Sequence, residues 1–529
     1  MIKLKVSTYY LLMLLVALLA SCTRDASTGD VPVVTKPFVR LLTNQYIQST
    51  ILKRNVYYNV LLPKDYDSTK KSYPVVYLLH GYGDNNTAWI NGGYIQYYVD
   101  LYAAQTVPMI YVMPDGYNTY YVNKYDGTFP YMDMFVQELV PAIDTLFRTI
   151  KDASGRAVMG YSMGGYGALI LPAKNPNVFK TSVVLSMSFR TDAQYMVESQ
   201  DGWNSQWASN FGGIGLKGTQ RLTDYFKTNS PFYYYKNSVP NVNLFIDCGD
   251  DEESLIFTSD TLHDMLRNLN VPHEFRVRNG AHTWTYWDSA LPEALKYIGY
   301  AVQKISYSST VSQIDVGATI PSTRIISETL TGSSINFNVV LPDSYSSSTT
   351  QYPVIFVLHD NVGANQNNVS QNLYSLLSNA MTTGRLQTSI IVEIPFQTTT
   401  ITIDIAQQIL TQVKAKYRTV ADKSHTVIIG NNAAGKLAFE LTSQNLFSTC
   451  LLFDANLDDN STTNLSGVSY WLDICESGTA YNGYHSLYTS VRQNQIAYEY
   501  RVRQGTPSHQ TFMNGLNDAV GFINVNIKN

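Results

Sequence analysis

Ala157-Val158-Met159-Gly160-Tyr161-Ser162-Met163-Gly164-Gly165 is a short apolar run that breaks into a serine flanked by glycines. Tyr166 to Ala173, which follow, are compatible with a helix. The pattern Gly-x-Ser-x-Gly between a strand and a helix predicts a nucleophile elbow, a tight turn that lifts the serine hydroxyl out of a sheet. Gly160 and Gly164 are required there because side chains would clash with the neighbouring strand. The pentapeptide alone is a common turn; its position between strand and helix carries the reading.

Further apolar runs occur at Val75–Leu79, Met109–Met113, Ser182–Met187 and Val242–Cys248. Between them Phe135, Leu139, Ile143 and Leu146 share one helical face, and Leu255, Leu262, Leu266 and Leu269 outline another. Strands apolar on both faces and separated by helices predict a mainly parallel sheet with helices on both sides. Chemistry in such sheets gathers at the carboxyl ends of the strands.

The pattern occurs twice. Asn59-Val60-Leu61-Leu62-Pro63 and Tyr73 to Gly81 return as Asn338-Val339-Val340-Leu341-Pro342 and Tyr352 to Asp360; Arg276-Val277-Arg278 returns as Arg501-Val502-Arg503. The expected organisation is α/β, with two α/β-hydrolase-like domains at 37–305 and 313–529 and a Ser/Thr-rich linker at 306–312. A length of 529 residues is consistent with that division.

Composition narrows the class. With 45% hydrophobic and 15% charged residues, disorder and coiled coil are excluded as overall classes. A net charge of −4 without a Lys/Arg run gives no footprint for nucleic acid. Four scattered cysteines suit neither a disulfide framework nor a thiolate metal site. The 40 tyrosines offer flat faces with polar tips, suited to stacking on sugars or phenolics or to packing alone.

Lys3 and Lys5 precede an apolar run, Tyr9 to Ala20, that ends in Leu19-Ala20-Ser21-Cys22. This predicts a signal peptide at 1–21, and the ending resembles a bacterial lipobox with Cys22 as the lipidated thiol. Residues 22–36 read as a tether. The expected location is the bacterial envelope, anchored by lipid to the outer membrane, with no other membrane contact.

Ser162 needs a base. His282, in a loop after the strand-like His273–Val277 and before the helix-like Ala290–Ala301, is the candidate; His263 and His273 compete. The supporting acid is one of Asp250, Asp251, Glu252 and Glu253, after Val242–Cys248. The order Ser, acid, His is that of α/β-hydrolases. Oxyanion donors are expected at the N–H of Met163, following the nucleophile, and of Tyr82, in His80-Gly81-Tyr82-Gly83.

Leu79-His80-Gly81-Tyr82-Gly83, Trp89, Gly160 to Gly165, Cys248-Gly249 and Gly280-Ala281-His282-Thr283-Trp284-Thr285-Tyr286-Trp287 stand in one order. Together they resemble the esterase D family, and within it the feruloyl and acetylxylan esterases of carbohydrate esterase family one. The resemblance covers Val56 to about Ala301. It places nucleophile and base on Ser162 and His282, and the oxyanion donors on Tyr82 and Met163. Where the family carries Asp this chain has Glu252; counting back from Ser254-Leu255 selects Glu253 instead, so Glu252 ranks first and Glu253 second.

The resemblance implies hydrolysis of acyl esters, feruloyl or acetyl, on plant cell-wall polysaccharide through an acyl-enzyme, without a metal or other cofactor. Trp89, Tyr94, Tyr120 and Trp203 are candidates to stack on the aryl ring or sugar, against the alternative of packing within their loops. The segment from Phe189 to Tyr235 is long enough to shape an acyl pocket. A carbohydrate-binding lipoprotein that merely retains the motif is the rival reading.

The second copy reads Gly430-Asn431-Asn432-Ala433-Ala434-Gly435, with Asn432 opposite Ser162. Pro507 falls opposite His282, His509 lies two residues beyond, Glu476 follows Cys475, and His359-Asp360 replaces His80-Gly81. An amide has no proton for a base to remove, so this copy is expected to be catalytically silent.

Overall fold

Strands β1 to β8 of the first half are Leu41–Ser49, Arg54–Leu61, Val75–Leu79, Ile110–Pro114, Arg156–Tyr161, Thr181–Leu185, Asn243–Gly249 and Glu274–Arg278. Those of the second half, β9 to β16, are Ile325–Thr329, Asn336–Val340, Val354–His359, Ile390–Pro395, Thr426–Asn431, Thr449–Phe453, Ser469–Cys475 and Tyr498–Arg503. This computed structural model describes residues 40–307, 311–360, 366–395, 401–458 and 465–527. The expected signal peptide, Cys22 and the tether lie outside the described residues, as do residues 308–310 of the expected linker.

Within each half the inner strands run parallel, and β3, β4, β5 and β6 are buried from end to end. Their Val, Ile and Leu-rich sequences suit that burial, because helices cover both faces and leave no side for water. Within each half, antiparallel pairing is confined to the outer edge, β1 with β2 and β2 with β4, and β9 with β10 and β10 with β12.

The halves join in one sheet of order β1-β2-β4-β3-β5-β6-β7-β8-β16-β15-β14-β13-β11-β12-β10-β9. The order reads the same from either end when each strand is exchanged for its repeat counterpart. At the centre β8 and β16 pair antiparallel, Val277 opposite Val502, so a local two-fold axis passes between the matching Arg-Val-Arg strands. Residues 40–529 form one compact unit.

Six helices matter for the site. In the first half α1 is Met163–Lys174, α2 is Ser254–Asn268 and α3 is Trp284–Val302. Their second-half counterparts are α4 (Asn432–Thr442), α5 (Tyr481–Gln493) and α6 (His509–Asn526). Leu262 and Leu266 on α2 are buried as the periodicity predicts, while Leu269 lies beyond the helix end and is 36% exposed. Phe135, Leu139 and Ile143 are buried, but Leu146 is 59% exposed. The cause is local: Phe135–Leu139 forms a π-turn, whose wider winding shifts the helical phase and carries Leu146 off the apolar face.

Candidate active site

Ser162 stands between β5 and α1 with φ 57° and ψ −121°, a costly conformation for a residue with a Cβ. Neighbouring backbone holds it there. Its N–H donates to the Leu185 carbonyl at 3.0 Å, and its own carbonyl accepts from the Ser188 N–H at 2.9 Å. The flanking glycines have steric reasons. A Cβ on Gly160 would lie 2.2 Å from the Gly164 carbonyl oxygen, and one on Gly164 would lie 2.2 Å from that of Leu79.

His282, in the loop between β8 and α3, brings Nε2 to 2.9 Å from Ser162 Oγ. Its Nδ1 lies 2.6 Å from Glu252 Oε2, after β7. A carboxylate only accepts, so Nδ1 carries the ring proton and Nε2 turns its lone pair to the serine hydroxyl. Glu252 Oε1 accepts from Ser186 Oγ at 2.5 Å and from the Gly249 N–H at 2.9 Å. Ser186 Oγ in turn accepts from Trp287 Nε1 at 2.8 Å. One chain of hydrogen bonds therefore runs from Trp287 through Ser186, Glu252 and His282 to Ser162. The Glu252 side chain is fully buried and that of His282 is 37% exposed, so the base faces the solvent side of the chain.

The other carboxylates of the loop go elsewhere. Glu253 and Asp251 are exposed. Asp250 is buried; it pairs with Arg501 of the second half, and its Oδ1 accepts the Gly280 N–H at 3.1 Å. Burial pushes its carboxyl up to about 6 against the pull of Arg501. His263 and His273 bond one another at 2.6 Å, and His263 stacks on Phe275 at 4.3 Å. Neither histidine bonds Ser162.

Two backbone N–H groups are the candidate oxyanion donors. Met163 is the first residue of α1, so its N–H has no carbonyl one turn back and shares the positive end of the helix dipole. Among the described residues no acceptor meets the N–H of Tyr82. A Cβ built on Gly81 would fall 3.4 Å from the Ser162 Cβ, which places this loop against the nucleophile. Buried His80 fixes its orientation. The Gly116 N–H donates to His80 Nε2 at 2.7 Å, which leaves the ring proton on Nδ1, and Nδ1–H donates to the Gly81 carbonyl at 2.8 Å. In a trans peptide the C=O and the next N–H point oppositely, so pinning Gly81 O aims the Tyr82 N–H the other way.

The aromatic candidates are corrected by their burial. Trp89 is 1% exposed and Tyr120 and Trp203 are 0% exposed, so none offers a ring face to a ligand. Trp89 Nε1 donates to the Leu79 carbonyl at 3.0 Å and Trp203 Nε1 to that of Gly213 at 3.0 Å; the Tyr120 hydroxyl bonds Ser188 Oγ at 3.1 Å. Tyr94 is 36% exposed. Tyr82 is 39% exposed, and half-buried Trp284 packs on Tyr161 at 4.5 Å. The segment from Phe189 to Tyr235 is packed rather than loose: Trp203, Trp207, Phe211 and Phe226 are all buried. Ser186, Trp287 and His80 were not singled out as supporting groups by sequence reasoning; Trp287 and His80 carried a signal, their places in the motifs after His282 and before Gly81.

In the second half the same turn persists without the same chemistry. Asn432 holds φ 47°, close to that of Ser162. The backbone bonds Glu476 N–H to Arg503 O, Ser477 N–H to Gly505 O and Gly478 N–H to Cys475 O repeat those of Asp250, Asp251 and Glu252. Gly478 is therefore the counterpart of Glu252, and Glu476 is the counterpart of Asp250. A carboxylate still reaches the vacated spot from another strand end. Asp454, the counterpart of Ser186, accepts the Cys475 N–H at 2.7 Å, as Glu252 accepts that of Gly249. His509 is the first residue of α6, and its Nε2 lies 3.0 Å from Asn372 Nδ2.

Residues 49–298 match the family model described as "Putative esterase". An esterase of Mycobacterium tuberculosis (strain ATCC 25618 / H37Rv) is 39% identical over 264 residues, 45% of this chain and 54% of the relative. The chain thus spans about half the length of that relative. An endo-1,4-beta-xylanase/feruloyl esterase of Xylanibacter ruminicola is 34% identical over 130 residues, 23% of this chain and 18% of the relative. A solved ferulic acid esterase is 29% identical with a TM-score of 0.43, covering 50% of this chain and 98% of its own. The matched residues 49–298 contain the whole of the Ser162–His282–Glu252 chain.

Proposed function

We propose that the first half is a serine esterase that removes hydroxycinnamoyl groups, feruloyl foremost, from plant cell-wall xylan through an acyl-enzyme. The observation that carries the esterase reading is the unbroken hydrogen-bond path from Glu252 through His282 to Ser162. His282 Nε2 takes the hydroxyl proton as Ser162 Oγ attacks the ester carbonyl carbon, while Glu252 stabilises the imidazolium. The carbonyl oxygen gains negative charge beside the Met163 and Tyr82 N–H groups, which are already oriented. The imidazolium then gives its proton to the departing sugar alkoxide. Water, deprotonated by the same nitrogen, attacks the acyl carbon; the proton returns to Ser162 Oγ and the free acid leaves.

Support for the acyl group comes from the exposed Tyr82 and half-buried Trp284 rings and from the feruloyl esterase named among the relatives. Acetyl removal is the second reading, supported by an acetyl esterase of Caldicellulosiruptor saccharolyticus, 24% identical and matched over 95% of its length. A panel of acetyl, feruloyl, coumaroyl and sinapoyl esters tests both. We expect the feruloyl ester to be preferred, and Ser162→Ala to lose roughly a million-fold in kcat. Turnover retained in that variant overturns the esterase reading, and activity on acetyl esters alone selects the second.

The second half is proposed to be catalytically silent, since Asn432, Gly478 and Pro507 replace all three groups. Envelope anchoring through Cys22 is likewise proposed from the Leu19-Ala20-Ser21-Cys22 sequence. Metabolic labelling with a fatty acid should mark the wild type and not Cys22→Ser; equal labelling would contradict it.

A further inference from the structure

The loops that carry acid and base approach each other closely. A Cβ on Gly249 would lie 2.1 Å from the Gly280 carbonyl oxygen, and the Asp251 N–H donates to that oxygen at 3.1 Å. Asp250, two residues before Glu252, accepts the N–H of Gly280, two residues before His282. The geometry of the triad therefore depends on where the Asp250 carboxylate is held.

What holds it comes from the other half of the molecule. Arg501 on β16 donates through NH1 to Asp250 Oδ2, and through NH2 to Asn279 Oδ1 at 3.2 Å. One planar guanidinium thus grips the acid loop and the base loop at once. It is itself fixed: NH1 also reaches the Tyr500 carbonyl at 2.8 Å, and NH2 reaches Glu499 at 2.6 Å. The Arg501 and Asp250 side chains are 8% and 3% exposed, so solvent screens the pair weakly. The charged groups around Asp250 are Arg501, Glu499 and Asp251.

The same half clamps α2, which begins just after Glu252. Asp260 on α2 is fully buried and accepts from Tyr481, from Tyr500 at 2.8 Å and from His485, all second-half residues. Arg267, near the end of α2, donates to the Glu476 carbonyl and to that of Gly478 at 2.9 Å.

The two-fold axis supplies an internal control. Glu476, the counterpart of Asp250, pairs with Arg276 at 2.6 Å and accepts the Gly505 N–H at 2.9 Å. That bridge joins the halves as the first does, but its carboxylate anchors the loop leading to Pro507, which carries no base.

We propose that the silent half supplies Arg501 as a positioning residue for the triad, holding the Glu252 and His282 loops in register through Asp250 and Asn279. This rests on the esterase reading above. The catalytic half then depends on its degenerate copy for competence as well as for burial of its sheet edge.

The test compares full-length wild type, Arg501→Gln and Glu476→Gln. Two readouts are used: the rate at which an aryl fluorophosphonate labels Ser162, and the pH profiles of kcat and KM on the preferred ester. Arg501→Gln should slow labelling and lower kcat by roughly ten- to a hundredfold with KM little changed, the size expected of a displaced catalytic group. Its profile should also shift, because the Asp250 carboxylate loses its cation. Glu476→Gln should lower the melting temperature as much while keeping labelling rate and profile. If Arg501→Gln does not fold, Arg501→Lys, which keeps the charge and loses the fork, gives the same comparison. A labelled wild type with Arg501 variants of unchanged rate and profile overturns this inference alone, as does equal loss in Glu476→Gln. A wild type that is never labelled overturns the esterase reading and this inference with it.

Discussion

Among the four carboxylates after β7, Glu252 alone reaches the imidazole, and the others show why. Asp250 is held by Arg501 and the Gly280 N–H, while Asp251 and Glu253 face solvent. Glu252→Gln should lose about four orders of magnitude in kcat, because an amide can donate to Nδ1 and so select the wrong tautomer. Glu253→Gln should keep near-native rates; measuring both on one ester separates them, and equal rates would contradict the assignment. The sequence left this choice open because adjacent residues of a loop have no periodicity to sort them. What decides is which backbone N–H groups the loop gives to the Arg278 and Gly280 carbonyls, a contact across about thirty positions. Ser162 and His282, in contrast, were legible, since a strained elbow needs its glycines and leaves them in the sequence. The aromatic candidates misled for a related reason. A large ring in a loop is equally at home packed inside it, and Trp89, Tyr120 and Trp203 are.

At the scale of elements, the two copies of the fold differ at a few residues near strand ends. Ser186 directly follows β6 and Asp454 directly follows β14, each with a positive φ, 46° and 47°. In the first half Ser186 supports Glu252; in the second, Asp454 fills the space itself and Gly478 makes room. Burial pushes the Asp454 carboxyl up to about 7 from its ordinary 3.8, with Asp473 adding to it and the Cys475 N–H opposing. A carboxyl raised on folding adds stability that is complete below about 4 and is lost as pH rises through 7. Melting temperature should therefore fall between pH 5 and pH 8, and Asp454→Asn should reduce that fall; an unchanged fall would contradict the assignment. Strand positions were readable from apolar runs to within a residue or two. The π-turn at Phe135–Leu139 was not, because its extra residue per turn leaves no compositional mark.

At the scale of the molecule, the duplication produces one sheet with two ends of unlike chemistry. The repeat was visible in the sequence, but its consequence was not: the Arg501–Asp250 and Arg276–Glu476 bridges pair residues at least 200 positions apart, related only by the two-fold axis. Shared edges and buried ionic contacts make each half part of the other's interior. The account predicts one reactive serine in the entire chain. The most direct measurement is peptide mapping after saturation with an aryl fluorophosphonate. It should find one label per chain, on Ser162, absent from a His282→Ala variant over the same time. A label elsewhere with Ser162 unmodified, or a second label in residues 313–529, would contradict it.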